Sequence, residues 1–187
     1  GFLISNDGNT MVTFRSITTR LGVYIKTSES DYWTYLQTED YGARYMALAG
    51  NANLTKIYAT ATSGRFVIYT SPDASNTTSY IKQGSNWQYK WITGNGVVNS
   101  SHSSSYSIIF HIACSDDGEI VLYGKEGGKL YLSNDGGATF SEITDSVFTG
   151  NYNWNGVAVS SDGNLMVAIS NSATTPIYYY DSEVEKW

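Results

Sequence analysis

One short unit recurs along this chain and constrains its fold more than any other feature. An apolar, strand-like run ends in a polar turn at Leu3-Ile4-Ser5-Asn6-Asp7-Gly8, at Ile112-Ala113-Cys114-Ser115-Asp116-Asp117-Gly118 and at Val157-Ala158-Val159-Ser160-Ser161-Asp162-Gly163. A degenerate copy stands at Ala47-Leu48-Ala49-Gly50-Asn51-Ala52-Asn53. Each turn leads into a second apolar run: Met11–Phe14, Ile57–Thr60, Ile120–Tyr123 and Leu165–Ala168. A third follows after a gap: Val23–Ile25, Phe66–Tyr69, Lys129–Leu132 and Ile177–Tyr180. The runs are short and rich in β-branched and aromatic residues, as strands prefer, and no stretch keeps a helical period. Fixed-period self-similarity marks a repeat architecture. The Asp-Gly steps predict tight two-residue hairpins of the primed type, because Gly accepts positive φ and Asp tolerates it. The chain therefore reads as all-β, built from four units of short antiparallel strands.

The third run of one unit closes with Ser133-Asn134-Asp135-Gly136-Gly137-Ala138-Thr139-Phe140, which matches Ser-x-Asp-x-Gly-x-Thr-aromatic at every position. A partial copy begins at Ser71 and keeps Asp73 and Thr77. Remnants lie at Ser28–Tyr35 and at Tyr180–Trp187. On these residues the chain resembles the Asp-box (BNR-repeat) family of sialidase-like β-propellers. The resemblance implies a propeller segment of about four blades. It also implies structural roles for Ser133, Asp135, Gly137, Thr139, Phe140, Ser71, Asp73 and Thr77. In such a box the carboxylate accepts bonds from backbone N–H groups and the Thr hydroxyl, Gly137 takes a conformation closed to other residues, and Phe140 turns inward. In the family these boxes lie on the rim, away from the ligand face.

The spacing of the units is uneven. Blades are expected at 1–36, 37–83, 107–143 and 152–187, with an insertion around 84–106. A blade takes about 40–45 residues, and loops inserted on a rigid scaffold are where binding usually resides. Four units are fewer than sialidase-like rings usually hold. Three expectations stay open: a piece of a longer protein, a four-bladed ring, or a half-ring that closes by self-association.

Composition narrows the function. Of 187 residues only 15% are charged, and 17 acidic against 11 basic residues leave a net charge of −6. That is against a basic face for nucleic acid. No apolar run reaches the roughly 18 residues of a spanning helix, so no membrane insertion is expected. Cys114 stands alone in an apolar run and reads as an inert buried thiol. Asn53, Asn76 and Asn99 head glycosylation sequons that matter only on a eukaryotic secretory route.

No catalytic, metal or cofactor site is legible. The arginines are Arg15, Arg20, Arg44 and Arg65, and Phe14-Arg15-Ser16-Ile17 lacks the Pro of the sialidase arginine motif. Glu119, Glu126 and Glu142 fall in turns. Asp116-Asp117-Gly118-Glu119 resembles half a calcium loop without its later bidentate Glu, and a hairpin turn is the better account. His102 and His111 lack the spacing of ligands.

The 16 Tyr, 5 Trp and 18 Gly, with abundant Ser and Asn, suit a binding surface instead. Tyr and Trp supply contact area at low entropy cost. Candidate ligand-binding residues are Trp87, Trp91 and Tyr106 in the insertion, and Tyr152 and Trp154 in a second exposed-looking cluster. Blade packing is the competing account of Trp91 and Trp154. The expected function is a non-catalytic recognition module, outside the cell or on a virion surface, with a glycan or surface receptor as ligand. The alternatives are a scaffolding propeller in a larger assembly, such as a virion fibre, capsid decoration or assembly factor, and part of a sialidase-like glycosidase.

Overall fold

The computed structural model describes residues 1–15, 22–36, 45–61, 65–70, 88–92, 109–125, 127–148, 150, 152–171 and 177–187, with the backbone alone for 15, 45, 61, 65–70, 88–92, 109–110 and 125. Regular structure among them is all β. The strands are β1 (Phe2–Ile4), β2 (Thr10–Arg15), β3 (Gly22–Thr27), β4 (Thr34–Leu36), β5 (Tyr45–Gly50), β6 (Lys56–Ala61), β7 (Arg65–Thr70), β8 (Gln88–Ile92), β9 (Ile109–Cys114), β10 (Val121–Lys125), β11 (Leu130–Ser133), β12 (Ser141–Glu142), β13 (Trp154–Val159), β14 (Leu165–Ser170) and β15 (Ile177–Asp181). They form four antiparallel meanders: β1-β2-β3-β4, β5-β6-β7-β8, β9-β10-β11-β12 and β13-β14-β15. Strand β8 pairs with β7 (Tyr69 opposite Tyr89, Val67 opposite Trp91). The second blade therefore runs to Ile92 instead of ending at 83, and its outer strand lies within the stretch expected as an insertion.

The sheets pack face against face along three apolar seams. Val12, Val23, Ile25 and Leu36 of the first blade meet Leu48, Leu54, Ile57 and Ala59 of the second. Ala47, Ala49 and Tyr58 meet Ile112, Val121, Tyr123 and Phe140 of the third. Leu122 and Leu130 meet Trp154, Met166, Ala168 and Tyr178 of the fourth. Successive side chains on a strand point to opposite faces. A sheet packed on both faces therefore needs apolar residues at both parities. That is why Ile57-Tyr58-Ala59 and Val121-Leu122-Tyr123 are unbroken apolar runs, all fully buried.

The turns between first and second strands follow one hydrogen-bond plan. The Ser5 N–H donates to the Thr10 carbonyl and the Gly8 N–H to the Ser5 carbonyl, both at 2.9 Å. The Ser5 hydroxyl donates to Asp7 (2.5 Å) and accepts from the Thr10 N–H (2.9 Å), while Asp7 accepts from the Asn9 N–H (3.0 Å). Ser115 with Asp117, and Ser160 with Asp162, repeat these contacts. These loops are longer than the two-residue primed hairpins expected. The Asp acts as a cap for backbone N–H groups, and Gly takes the positive φ: +75° at Gly8, +72° at Gly118 and +76° at Gly163.

The second blade keeps the plan with different residues. Asn51 Oδ1 accepts from the Lys56 N–H at 2.8 Å, replacing the serine hydroxyl. Leu54 holds the glycine place at φ +53°, and its N–H donates to the Asn51 carbonyl. The turns are also stitched together. The Asn6 N–H donates to the Ala52 carbonyl, the Ala52 N–H to the Asp116 carbonyl and the Asp116 N–H to the Ser161 carbonyl, each at 2.9 Å. β5 packs beside β9 and β9 beside β13, so the first strand of each meander lies innermost.

Candidate functional site

The segment Ser133–Phe140 folds around one carboxylate. Asp135 accepts from the Thr139 N–H (2.8 Å), the Thr139 hydroxyl (2.6 Å) and the Ser133 hydroxyl (2.7 Å). The Ser133 hydroxyl in turn accepts from the Gly137 N–H at 2.8 Å. Gly137 has φ +84°, a conformation that side chains resist. Phe140 is buried edge-on against Tyr123, with ring centroids 5.0 Å apart. The three donors hold the Asp135 carboxyl at a pKa of about 2, the Thr139 hydroxyl and N–H contributing most. The Gly136 N–H bonds the Glu119 carbonyl, which ties this loop to the first turn of its own blade.

The sequence candidates separate on this frame. Trp154, expected to contact a ligand, is 4% exposed. Its indole N–H donates to the Gly128 carbonyl at 3.2 Å, and its ring packs on Phe148, Tyr152 and Tyr178. It is a seam residue of the fourth blade, and its assignment to an exposed cluster is corrected. Tyr152 is half-buried, with its ring on Trp154 and Tyr178 and its backbone paired to Gly128. Trp91 lies on β8, opposite Val67. Trp87, Tyr106, Ser71, Asp73, Thr77 and His102 lie outside the described residues.

A cleft of about 480 Å³ opens between the outer parts of the third and fourth blades. Its lining includes Asn134, Asp135, Thr139, Ser141, Glu142, Thr144, Asp145, Tyr180 and Trp187. The last turn of the fourth blade brings Trp187 here. Its N–H reaches Asp145 Oδ2 at 3.5 Å, and its ring packs on Phe148 (5.5 Å) and Tyr180 (5.6 Å). Asp145 caps the Val147 N–H at 3.1 Å, which holds its carboxyl below the usual range. Three carboxylates thus border two aromatic rings, with hydroxyls and an amide between them and no Lys or Arg in the described lining. Such a lining accepts hydrogen bonds, offers flat apolar faces and repels anions.

Tyr180 and Trp187 do not stand out in the sequence, because Tyr180–Trp187 reads there as a remnant of the Ser133–Phe140 loop. The available signal was Trp187 itself, an aromatic two residues beyond Glu185 in a polar run. Asp145 carried no signal, since only packing brings it to Trp187.

The remaining titratable groups do other work. Asp117 caps its own turn, and Glu119 pairs with Lys56 at 2.6 Å across the second seam. Burial lowers the pKa of His111. Cys114 is pushed up to about 12 by burial, with Asp116 and Asp117 adding to it. Among the described residues no three His, Cys, Asp or Glu side chains converge as a metal site.

Comparison with known proteins places this architecture. No protein-family model matches the chain. No curated protein matches it either. Solved structures do. YCF48 from Cyanidioschyzon merolae superposes with a TM-score of 0.68 at 15% identity, over 98% of this chain and 50% of that one. U3-55K gives 0.65 at 8% identity, over 99% and 49%. The Cps50 (Swd1) β-propeller domain from Myceliophteria thermophila gives 0.64 at 11% identity, over 96% and 52%. The chain thus spans about half the length of each. At such identities the likeness establishes fold alone. The four meanders are consecutive blades of a β-propeller.

Proposed function

We propose that this chain is an Asp-box propeller segment acting as a non-catalytic recognition module, and that the cleft between the third and fourth blades takes a neutral, hydroxyl-rich ligand, a glycan by class. One observation carries the reading: Trp187 and Tyr180 stand beside Glu142 and Asp145 in a single open cleft. Aromatic faces stack on sugar C–H surfaces, and carboxylates and hydroxyls accept and donate to sugar hydroxyls. The same carboxylates disfavour sialosides, uronates and sulfated sugars, which separates this cleft from an arginine-lined sialate site. The bonding of Asp135 supports the Asp-box resemblance. The low charge and Ser, Thr and Asn content support a place outside the cell or on a virion surface.

The test is a glycan array read with the native chain, followed by calorimetry on the hits. Neutral glycans should bind and anionic ones should not. Trp187→Ala should abolish binding and Glu142→Gln should weaken it, while the buried Tyr58→Phe leaves it unchanged. Absence of glycan binding, or binding indifferent to Trp187→Ala, overturns the ligand class. Turnover of a fluorogenic glycoside overturns the non-catalytic assignment.

A second reading, a scaffolding propeller within an assembly, is favoured by one separate observation. Large apolar side chains are exposed on both terminal blades: Phe2 and Ile4 on the first, and Leu165, Ile169, Ile177 and Tyr179 on the fourth.

A further inference from the structure

We propose that Asn53 is the acceptor of an N-linked oligosaccharide, carried on the first turn of the second blade when the chain passes a eukaryotic secretory route. The inference rests on the reading that the protein works outside the cell. Asn53-Leu54-Thr55 is an Asn-x-Thr sequon with no proline at its middle position. The other two sequons, at Asn76 and Asn99, lie outside the described residues.

The motif sits where the repeat leaves one side chain without work. Asn53 comes two places after the turn residue Asn51, as Asp7, Asp117 and Asp162 come two places after Ser5, Ser115 and Ser160. Each of those carboxylates is held from two sides. It accepts from the serine hydroxyl at 2.5, 2.5 and 2.6 Å. It also accepts from the N–H two residues on, at 3.0, 2.9 and 3.0 Å. In the second blade these duties have moved to Asn51. Its Oδ1 accepts from the Lys56 N–H at 2.8 Å, and its Nδ2 donates to the Thr55 hydroxyl at 2.9 Å. The Asn53 side chain takes no part in these bonds and is exposed.

The backbone beneath it is fixed. The Ala52 carbonyl accepts from the Asn6 N–H, and the Ala52 N–H donates to the Asp116 carbonyl. Leu54 is 2% exposed in the first seam, and its N–H donates to the Asn51 carbonyl. The turn thus lies between the turns of the first and third blades and is bonded to both. Asn53 projects from an interior blade of the arc.

The donor is a lipid-linked pyrophosphoryl oligosaccharide. Asn53 Nδ2 bonds to its anomeric carbon, the bond from that carbon to the pyrophosphate oxygen breaks, and the lipid pyrophosphate leaves with the electron pair. One Nδ2 proton passes to a base of the transferase. Transfer takes place on the extended chain, so what the fold must do afterwards is carry a bulky, hydrated substituent. An exposed side chain with no bond to give up does this without loss. At the place of Asp7 the same substituent would break a cap.

The experiment is secretion of the 187-residue chain from mammalian cells behind a cleavable leader. The tryptic peptide Tyr45–Lys56 holds this sequon and no other. It is mapped by mass spectrometry before and after peptide N-glycosidase in heavy-oxygen water. The native peptide should carry hexose and N-acetylhexosamine, and the enzyme should convert Asn53 to labelled aspartate. Asn53→Gln and Thr55→Ala should each leave the peptide bare. The glycosylated native chain and the Asn53→Gln chain should melt at the same temperature. Asp7→Asn with Asn9→Thr, in the Asn53→Gln background, moves the sequon to the first blade and should melt lower by about 2–4 °C, the worth of one hydrogen bond at this chain length. A secreted native chain with a bare Asn53, a glycan retained in Thr55→Ala, or a glycosylated native chain melting several degrees below Asn53→Gln would each overturn the proposal. The host supplies the secretory route, so a bare Asn53 sinks the site and leaves the extracellular reading standing.

Discussion

Leu54 occupies a backbone position that three other turns give to glycine, and this inverts an ordinary rule of mutagenesis. Replacing a buried Leu by Gly normally costs more than replacing it by Ala, since Gly adds about 0.5–1 kcal/mol of chain entropy. At φ +53° a non-glycine residue instead carries a cost of about 1–2 kcal/mol. Leu54 is 2% exposed in the first seam, packed on Leu48, Ile57 and Val12. Leu54→Ala loses that packing and keeps the backbone cost, so it should destabilise by about 3 kcal/mol, within the 2–5 kcal/mol typical of such cavities. Leu54→Gly loses the same packing but relaxes the backbone, and should be the milder by about 0.5–1 kcal/mol after its own entropy cost. At this chain length each kcal/mol is worth about 2–4 °C. Thermal and urea melts should therefore rank native, then Leu54→Gly, then Leu54→Ala. Gly8→Ala is the control, because an added Cβ there meets nothing within 4 Å. It should cost about 1 kcal/mol through φ alone. If Leu54→Gly melts at or below Leu54→Ala, the account of this turn is wrong.

Other expectations follow from the same geometry. Gly163→Ala should destabilise more than Gly8→Ala in the same melts, since its Cβ would sit 2.6 Å from Ile120 Cγ1. The Asp135 carboxyl has a folded pKa of about 2, below the unfolded value of 3.8. Its contribution is thus full above about pH 4 and fades as pH falls toward 2. Melting temperature against pH should accordingly be flatter between pH 4 and 2 in Asp135→Asn than in the native chain. Tyr58→Phe removes the bond from its hydroxyl to the Gly118 carbonyl, 2.6 Å and buried. It should lower stability by about 1 kcal/mol in urea titration. Cys114 is half-buried and its pKa stands at about 12, so it should resist iodoacetamide at pH 8 in the native chain and react once urea unfolds it; native labelling at a free-thiol rate would refute the raised pKa.

The features legible in the order of residues are local. Strand runs and their polar turns follow from alternation and from backbone preferences that act within a few residues. The Ser133–Phe140 loop is legible for the same reason: Asp135 bonds residues two to four positions away. The tertiary structure decided everything that depends on which neighbour a face meets. Alternation places Tyr178 and Tyr179 on opposite faces, but packing alone buries the first against Trp154 and leaves the second 67% exposed. It also took Trp154 from the expected binding surface into a seam, and added β8 to the second blade through a ladder no local signal announced. Leu54 could stand in for glycine because the first seam repays its strained backbone with burial. The cleft arose where Asp145 meets Trp187, a contact across 42 positions of chain. Such pairings have no period and no motif. They are chosen by the free energy of covering apolar faces, which is a property of the stacked blades and not of any one of them.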